Sequence, residues 1–135
     1  MKIRAVFFLA LLFTLQVHAG SDSIAGRYVG TMATEQEDEP RFLEVTIKQD
    51  GQQYLLSGGA GYSTGRSAAP DFEGQSRSAA KPPYTFDFED SFGNVGIAVI
   101  TPTKAGLQFS ATITTIREAR CLPLYESMEI RRKGD

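Results

Sequence analysis

Carboxylates and an amide are grouped around one turn in the second half of the chain, and they are the first candidates for chemistry. Asp87, Glu89 and Asp90 lie close together, and Asn94 follows directly after the turn. Ca²⁺ sites need several oxygen donors, but the Asp-x-Asp-x-Asp-Gly spacing and distal bidentate Glu of the common calcium loop are missing. The pattern therefore favours a solvated strand and turn, and no metal site is expected.

Paired carboxylates are a second candidate, because glycoside hydrolases use one carboxyl group as an acid and another as a base or nucleophile. Asp71 with Glu73, and Glu89 with Asp90, are such pairs in the sequence. The chemistry depends on their separation in space, which the spacing along the chain does not give. Any small acidic protein contains similar pairs, so we expect no catalytic residues, no cofactor and no enzymatic activity.

A single cysteine, Cys121, precludes an internal disulfide. It lies between Arg120 and Leu122, just before the last predicted strand. Burial as a small apolar side chain is the expectation, with an intermolecular disulfide or a reactive thiol as alternatives. Stability must therefore come from packing.

The N-terminus has the parts of a secretory signal peptide. Lys2 and Arg4 precede an apolar run over 5–15, and a small-x-small pattern ends at Ala19. The apolar run is about half the length of roughly 20 residues that a membrane-spanning helix requires. The sequence predicts a signal peptide over 1–19, and a periplasmic or secreted bacterial protein without a membrane anchor.

The predicted mature chain, residues 20–135, has the size of one domain. Removal of Lys2 and Arg4 from the 14 Lys and Arg leaves 12, against 16 Asp and Glu. This acidic balance argues against nucleic acid as a partner, because binding to nucleic acid depends on neutralising phosphates. Cleavage also removes His18, the only histidine of the chain. Histidine is the side chain that most often acts as a general base or metal ligand, and the predicted mature chain lacks it.

Alternating apolar and polar residues predict β-strands along most of the mature chain. Over 43–48, Leu, Val and Ile alternate with Glu, Thr and Lys, and Asp50-Gly51 after them is a strong hairpin pattern. Similar alternation occurs in five further segments, at 26–33, 84–89, 95–100, 107–114 and 128–130. With the segment 54–56 after the hairpin and a possible short strand near Phe72, these make seven or eight antiparallel strands. They predict an all-β fold, either a single small β-barrel or a β-sandwich.

Two segments lack this alternation and are candidates for loops. Residues 57–83 are rich in Gly, Ser and Ala and predict a long loop with at most a short strand, either a mobile connector or a binding loop. Its expected contact residues are Tyr62, Arg66 and Phe72. The acidic run 35–39 adds two more, Glu37 and Asp38, and is either a solvated loop or a contact for a cationic partner.

The two ends of the domain resemble the calycin arrangement of lipocalin-type barrels. Gly26-Arg27-Tyr28 opens the first strand, and Arg131 and Arg132 lie on the last one. In those barrels a Gly-x-aromatic motif near the start packs beneath an arginine from near the end, although Tyr28 stands here in place of the usual tryptophan. The resemblance implies an eight-stranded up-and-down barrel whose interior or mouth holds a ligand.

Together these patterns predict a non-enzymatic binding protein, with two kinds of partner left open. In one interpretation a small apolar ligand occupies the barrel, unless the inward aromatic residues simply fill the core; these residues are Tyr28, Tyr54, Phe86, Phe88 and Phe109. In the other, the partner is a cell-envelope protein. The alternative function is an inhibitor or immunity protein that blocks a cell-wall-degrading enzyme or toxin through its loops.

Overall fold

The computed structural model describes residues 23–32, 40–63, 65, 68–77 and 81–134. The strands form one closed antiparallel barrel in chain order. They are β1 (Gly26–Met32), β2 (Arg41–Asp50), β3 (Gln53–Tyr62), β4 (Asp71–Ser76), β5 (Tyr84–Asp90), β6 (Val95–Pro102), β7 (Leu107–Thr115) and β8 (Met128–Arg132). The predicted all-β barrel is confirmed, with eight strands, and the sandwich is excluded. A 3₁₀ helix, Ala119–Tyr125, precedes β8.

The alternation of residues along β2 explains how the wall of the barrel is built. Leu43, Val45 and Ile47 are buried, whereas Glu44 and Lys48 are exposed. Burial of each of these apolar side chains stabilises the fold by roughly 1.5–3 kcal/mol. The predicted inward and outward faces of this strand are therefore confirmed.

The predicted hairpin at Asp50-Gly51 is also confirmed. Asp50 pairs with Gln53, so a two-residue turn joins β2 to β3. Gly51 has a φ of 63°, a backbone conformation that glycine adopts without the steric cost a Cβ would bring.

The structure corrects the first part of the long loop expected over 57–83, because β3 continues to Tyr62. The short strand that the sequence left open near Phe72 is present as β4 (Asp71–Ser76). The alternation was hidden because the inward position Gly58 carries no side chain. A Cβ there would collide with the Glu44 carbonyl oxygen and would lie 2.8 Å from the Phe72 ring. Gly58 thus makes room for a large neighbour, so the strand looks like a loop in the sequence.

The connections lie at two ends of the barrel. We call the end with the 3₁₀ helix the upper end, and the end with the Asp50–Gln53 turn the lower end. The core runs between them as one cluster of buried side chains drawn from all eight strands and the 3₁₀ helix. Among the described residues, no helix is both long and apolar enough to span a membrane.

Candidate functional site

Of the five residues expected to contact a partner, the structure describes two, Tyr62 and Phe72. Tyr62 is half-buried at the upper end of β3 and packs against the core. Phe72 is only 4% exposed and lies in the core, so it is not an exposed loop residue. Arg66, Glu37 and Asp38 lie outside the described residues.

Aromatic rings fill the barrel beneath its upper end. The ring centroid of Phe72 lies 5.2 Å from that of Phe88 and 5.8 Å from that of Phe109. The Tyr125 ring meets Phe88 edge to face at 4.9 Å. Buried as expected are Tyr28, Tyr54, Phe86, Phe88 and Phe109. Rings at these distances are in packing contact and stabilise one another, so this part of the interior is a core.

The 3₁₀ helix closes the upper end, and a buried hydrogen-bond network holds it there. The Tyr125 hydroxyl donates to Asp90 Oδ2 at 2.7 Å, and Asn94 Nδ2 donates to the same oxygen at 2.8 Å. Asp90 Oδ1 accepts from the backbone N–H groups of Phe92 and Asn94. Asp90 and Asn94 are both buried. This corrects the expectation of a solvated turn at these two residues.

Asn94 extends this network to the segment that leads into the helix. Its Oδ1 accepts from the N–H groups of Arg117 and Glu118 at 2.7 and 2.9 Å. Its Nδ2 also donates to the Glu118 carbonyl at 3.2 Å. Because these donors already satisfy the Asp90 and Asn94 oxygens, the side chains form a structural cap and no open ligand site.

A buried arginine fastens the other end of the helix. Arg41 Nη1 donates to the Pro123 carbonyl at 2.8 Å, and Nη2 donates to the Ser127 carbonyl at 3.1 Å. Burial lowers the pKa of the guanidinium from its ordinary value. Arg41 thus holds the backbone on both sides of Tyr125, and the upper end is closed by polar contacts from β2 as well as β5.

The lower end has the contact that the calycin resemblance implies. The Arg132 guanidinium lies 5.0 Å from the centroid of the Tyr28 ring, and its Nη2 donates to the Tyr28 hydroxyl at 2.8 Å. Nη1 donates to the Ala25 carbonyl at 2.8 Å. Arg131, the other candidate, is exposed beside Glu129. This cation–π contact joins the first strand to the last one.

A concave surface lies on the outer wall of the barrel, across β2 to β6. We call it the wall groove; its volume is about 720 Å³. Its outward side chains are Lys48, Leu55, Glu73, Gln75, Asp87, Glu89 and Val95. Leu55 and Val95 are each 39% exposed, which is high for apolar residues on a folded domain.

The wall groove carries more negative than positive charge, with the carboxylates of Glu73, Asp87 and Glu89 against the single lysine Lys48. Glu73 and Glu89 are directly opposite each other on β4 and β5. No ion pair of the described residues includes either of them. By contrast, Asp87 pairs with Arg77 at 2.9 Å. Like charges in opposed cross-strand positions are destabilising, so this arrangement costs the fold some stability.

Sequence reasoning did not find the wall groove. Its residues come from five strands, β2 to β6, and alternation identifies only which of their side chains point outward. The opposition of Glu73 to Glu89 depends on the register of β4 against β5, which could be read only after the boundaries of β4 were known.

Cys121 is buried in the closure of the upper end, as expected. Burial, together with the nearby Asp90 carboxylate, raises the thiol pKa to about 11. The group therefore remains a neutral thiol at physiological pH. We expect a chromogenic disulfide reagent at pH 8 to leave Cys121 unmodified in the folded protein and to titrate one thiol in denaturant. Rapid labelling of the folded protein would contradict this assignment.

Comparison with known proteins identifies no relative for this chain. No family model matches the sequence, and none of the curated proteins or solved structures compared with it is similar enough to count as a match. What is established is therefore a closed eight-stranded antiparallel barrel, whose geometry is consistent with a small barrel fold.

Proposed function

We propose that this protein is an exported, non-enzymatic binding protein that holds a positively charged segment of a cell-envelope protein on the wall groove. The observation that carries the proposal is the opposed pair Glu73 and Glu89, which forms no salt bridge among the described residues although Lys48 lines the same groove. A partner arginine or lysine placed between these carboxylates would remove the repulsion between them. Binding would then recover stability that the free protein lacks.

The apolar residues of the wall groove support a polypeptide as the partner. Leu55 and Val95 flank the carboxylates from β3 and β6. An extended segment with a basic side chain and neighbouring aliphatic side chains would make both kinds of contact at once. Small inorganic cations would gain nothing from the exposed apolar area, whereas a peptide would bury it.

A ligand inside the barrel is the less favoured alternative. It would have to displace the packed rings of Phe72, Phe88, Phe109 and Tyr125 and open the hydrogen-bonded closure above them. The calycin-like contact between Arg132 and Tyr28 favours a lipocalin-type relationship, but it lies at the lower end and adds no space to the interior. Binding on the wall requires none of this rearrangement.

The alternative function, an inhibitor or immunity protein against a cell-wall-degrading enzyme or toxin, is one form of the same proposal. Bacterial wall-degrading enzymes are often cationic, and an acidic concave surface complements them. In that case Tyr62, at the upper end of β3, and Arg66 would add contacts to the partner. Loop and groove variants distinguish the two surfaces.

The test uses a synthetic peptide of alternating arginine and leucine, titrated into residues 20–135 and followed by amide NMR shifts. We expect shifts centred on Leu55, Gln75 and Val95, with an affinity that falls as salt rises. The double variant Glu73→Lys with Glu89→Lys should weaken binding about tenfold or more, since attraction becomes repulsion.

The matched control is Glu44→Lys with Glu129→Lys, which makes the same change in net charge on exposed residues outside the groove. Equal weakening by both double variants would mean that only overall charge matters, and would contradict a site in the wall groove. If instead Tyr62→Ser with Arg66→Ser abolishes binding while the groove variant does not, the loop surface carries the function.

A further inference from the structure

Strand β7 is paired with a neighbour on both sides only along its lower part. β8 pairs with Leu107, Gln108 and Phe109 of β7, and its pairing stops there. Above that point Ser110–Thr115 pairs with β6 alone. We call residues 110–115 the free edge. Backbone groups that point away from β6 along the free edge have no strand to receive them.

The chain that follows β7 does not supply the missing partner. The 3₁₀ helix closes the barrel with side chains, and its segment makes backbone hydrogen bonds only within itself, from Cys121 to Glu118 and from Glu126 to Pro123. Among the described residues, no hydrogen bond reaches the backbone groups of residues 110–115 that face away from β6. Within the described part of the chain, no strand covers the free edge, so it can pair with a strand from outside.

The upper part of β1, on the other side of β8, differs from the free edge because it is partly covered. β1 also extends above its pairing with β8, which covers Tyr28 and Val29. A Cβ on Gly30, however, would lie 2.7 Å from the Glu129 carbonyl oxygen, so the β8 backbone is already packed against it. The upper part of β1 is thus partly covered, whereas the free edge of β7 is not.

The composition of the free edge suits strand pairing. Its sequence, SATITT, contains no charged residue, proline or glycine, and it is rich in β-branched residues. Natural edge strands are usually protected by charges, prolines or bulges. The register shift opposite Val95 and Gly96 leaves Thr114 as an extra residue, so regular pairing is available from Ser110 to Ile113.

We propose that the free edge pairs antiparallel with the free edge of a second copy of this chain. A twofold axis at Thr112 sets Thr112 opposite itself and Ala111 opposite Ile113. Ala111 and Ile113 are half-buried inner-face residues, so each would cover the other across the axis. Threonine pairs across strands are favourable.

Charge favours a second copy at this edge in particular. The predicted mature chain is acidic, and several outward residues on β4 and β5 are carboxylates. Two copies that met through that wall would repel each other, whereas the free edge brings no charge of its own to the contact. The proposal is independent of the wall groove, which lies across β2 to β6.

The test is the oligomeric state of residues 20–135, measured by sedimentation from micromolar to millimolar concentration, together with amide hydrogen exchange. We expect a monomer–dimer equilibrium in which protection at 110–113 rises with protein concentration. Thr112→Lys places two like charges at the twofold axis and should raise the dimer dissociation constant about tenfold or more.

Thr101→Lys is the matched control, because Thr101 is also an exposed threonine but lies on β6, away from the free edge. It should leave the dissociation constant unchanged. A wild-type protein that is monomeric at every concentration overturns the proposal. A dimer that persists in Thr112→Lys, one that Thr101→Lys weakens equally, or concentration-dependent protection that excludes residues 110–113 also overturns it.

Discussion

Replacing Phe72 with alanine is expected to lower the free energy of unfolding by about 3–5 kcal/mol. The ring contacts Phe88, Phe109 and Tyr125 in the barrel interior, and no neighbour can fill the space it leaves without moving others. A loss of this size is a large fraction of the stability of a small domain. Urea denaturation followed by far-UV circular dichroism measures it.

Phe92→Ala is the control for this prediction. Phe92 lies in the turn between β5 and β6 and is 37% exposed, so its replacement should cost far less than the loss at Phe72. If the two variants have the same midpoint, Phe72 is not a core residue, and its expected role as a contact residue of a loop would return.

Replacing Asp90 with alanine is expected to destabilise the protein by about 3–5 kcal/mol, because buried donors lose their acceptor. The Tyr125 hydroxyl and the Asn94 amide both donate to this carboxylate. Water has little access to either donor after the change, since Tyr125 and Asn94 are buried. Thermal unfolding and hydrogen exchange of the 3₁₀ helix, Ala119–Tyr125, are the measurements.

Two comparison variants separate this network from a general effect of charge. Asp87→Ala removes a carboxylate whose ion pair with Arg77 is exposed, so it should change stability by less than about 1 kcal/mol. Tyr125→Phe removes one hydroxyl and should cost about 1 kcal/mol, less than the full loss at Asp90. A stability loss at Asp90 no larger than that at Asp87 would show that the network does not hold the upper end.

The strands that could be predicted from the sequence are those with ordinary side chains on both faces. In β2, Leu43, Val45 and Ile47 reveal the buried face directly, and Asp50-Gly51 reveals the turn. Local patterns of this kind report burial because a strand alternates between the two sides of the sheet. They predicted the fold class and most of the strands.

The features that could not be predicted depend on residues far apart in the chain. Gly58 lies on β3 without a side chain, because the Glu44 carbonyl and the Phe72 ring occupy the space that a Cβ would need. Asp90 and Asn94 looked like a solvated turn, yet Tyr125, from beyond the next two strands, buries them. Polar residues at a turn give no indication of whether a distant segment will cover them.

The meeting of β1 and β8 closes the ring between two strands that lie far apart in the sequence. The backbone N–H of Lys133 donates to the Arg27 carbonyl at 2.8 Å, so the contact extends to the residue after β8. Without β8 the barrel would be an open sheet with unpaired edges on β1 and β7. An early stop codon within 128–132 would therefore yield an aggregation-prone open sheet instead of a slightly smaller barrel.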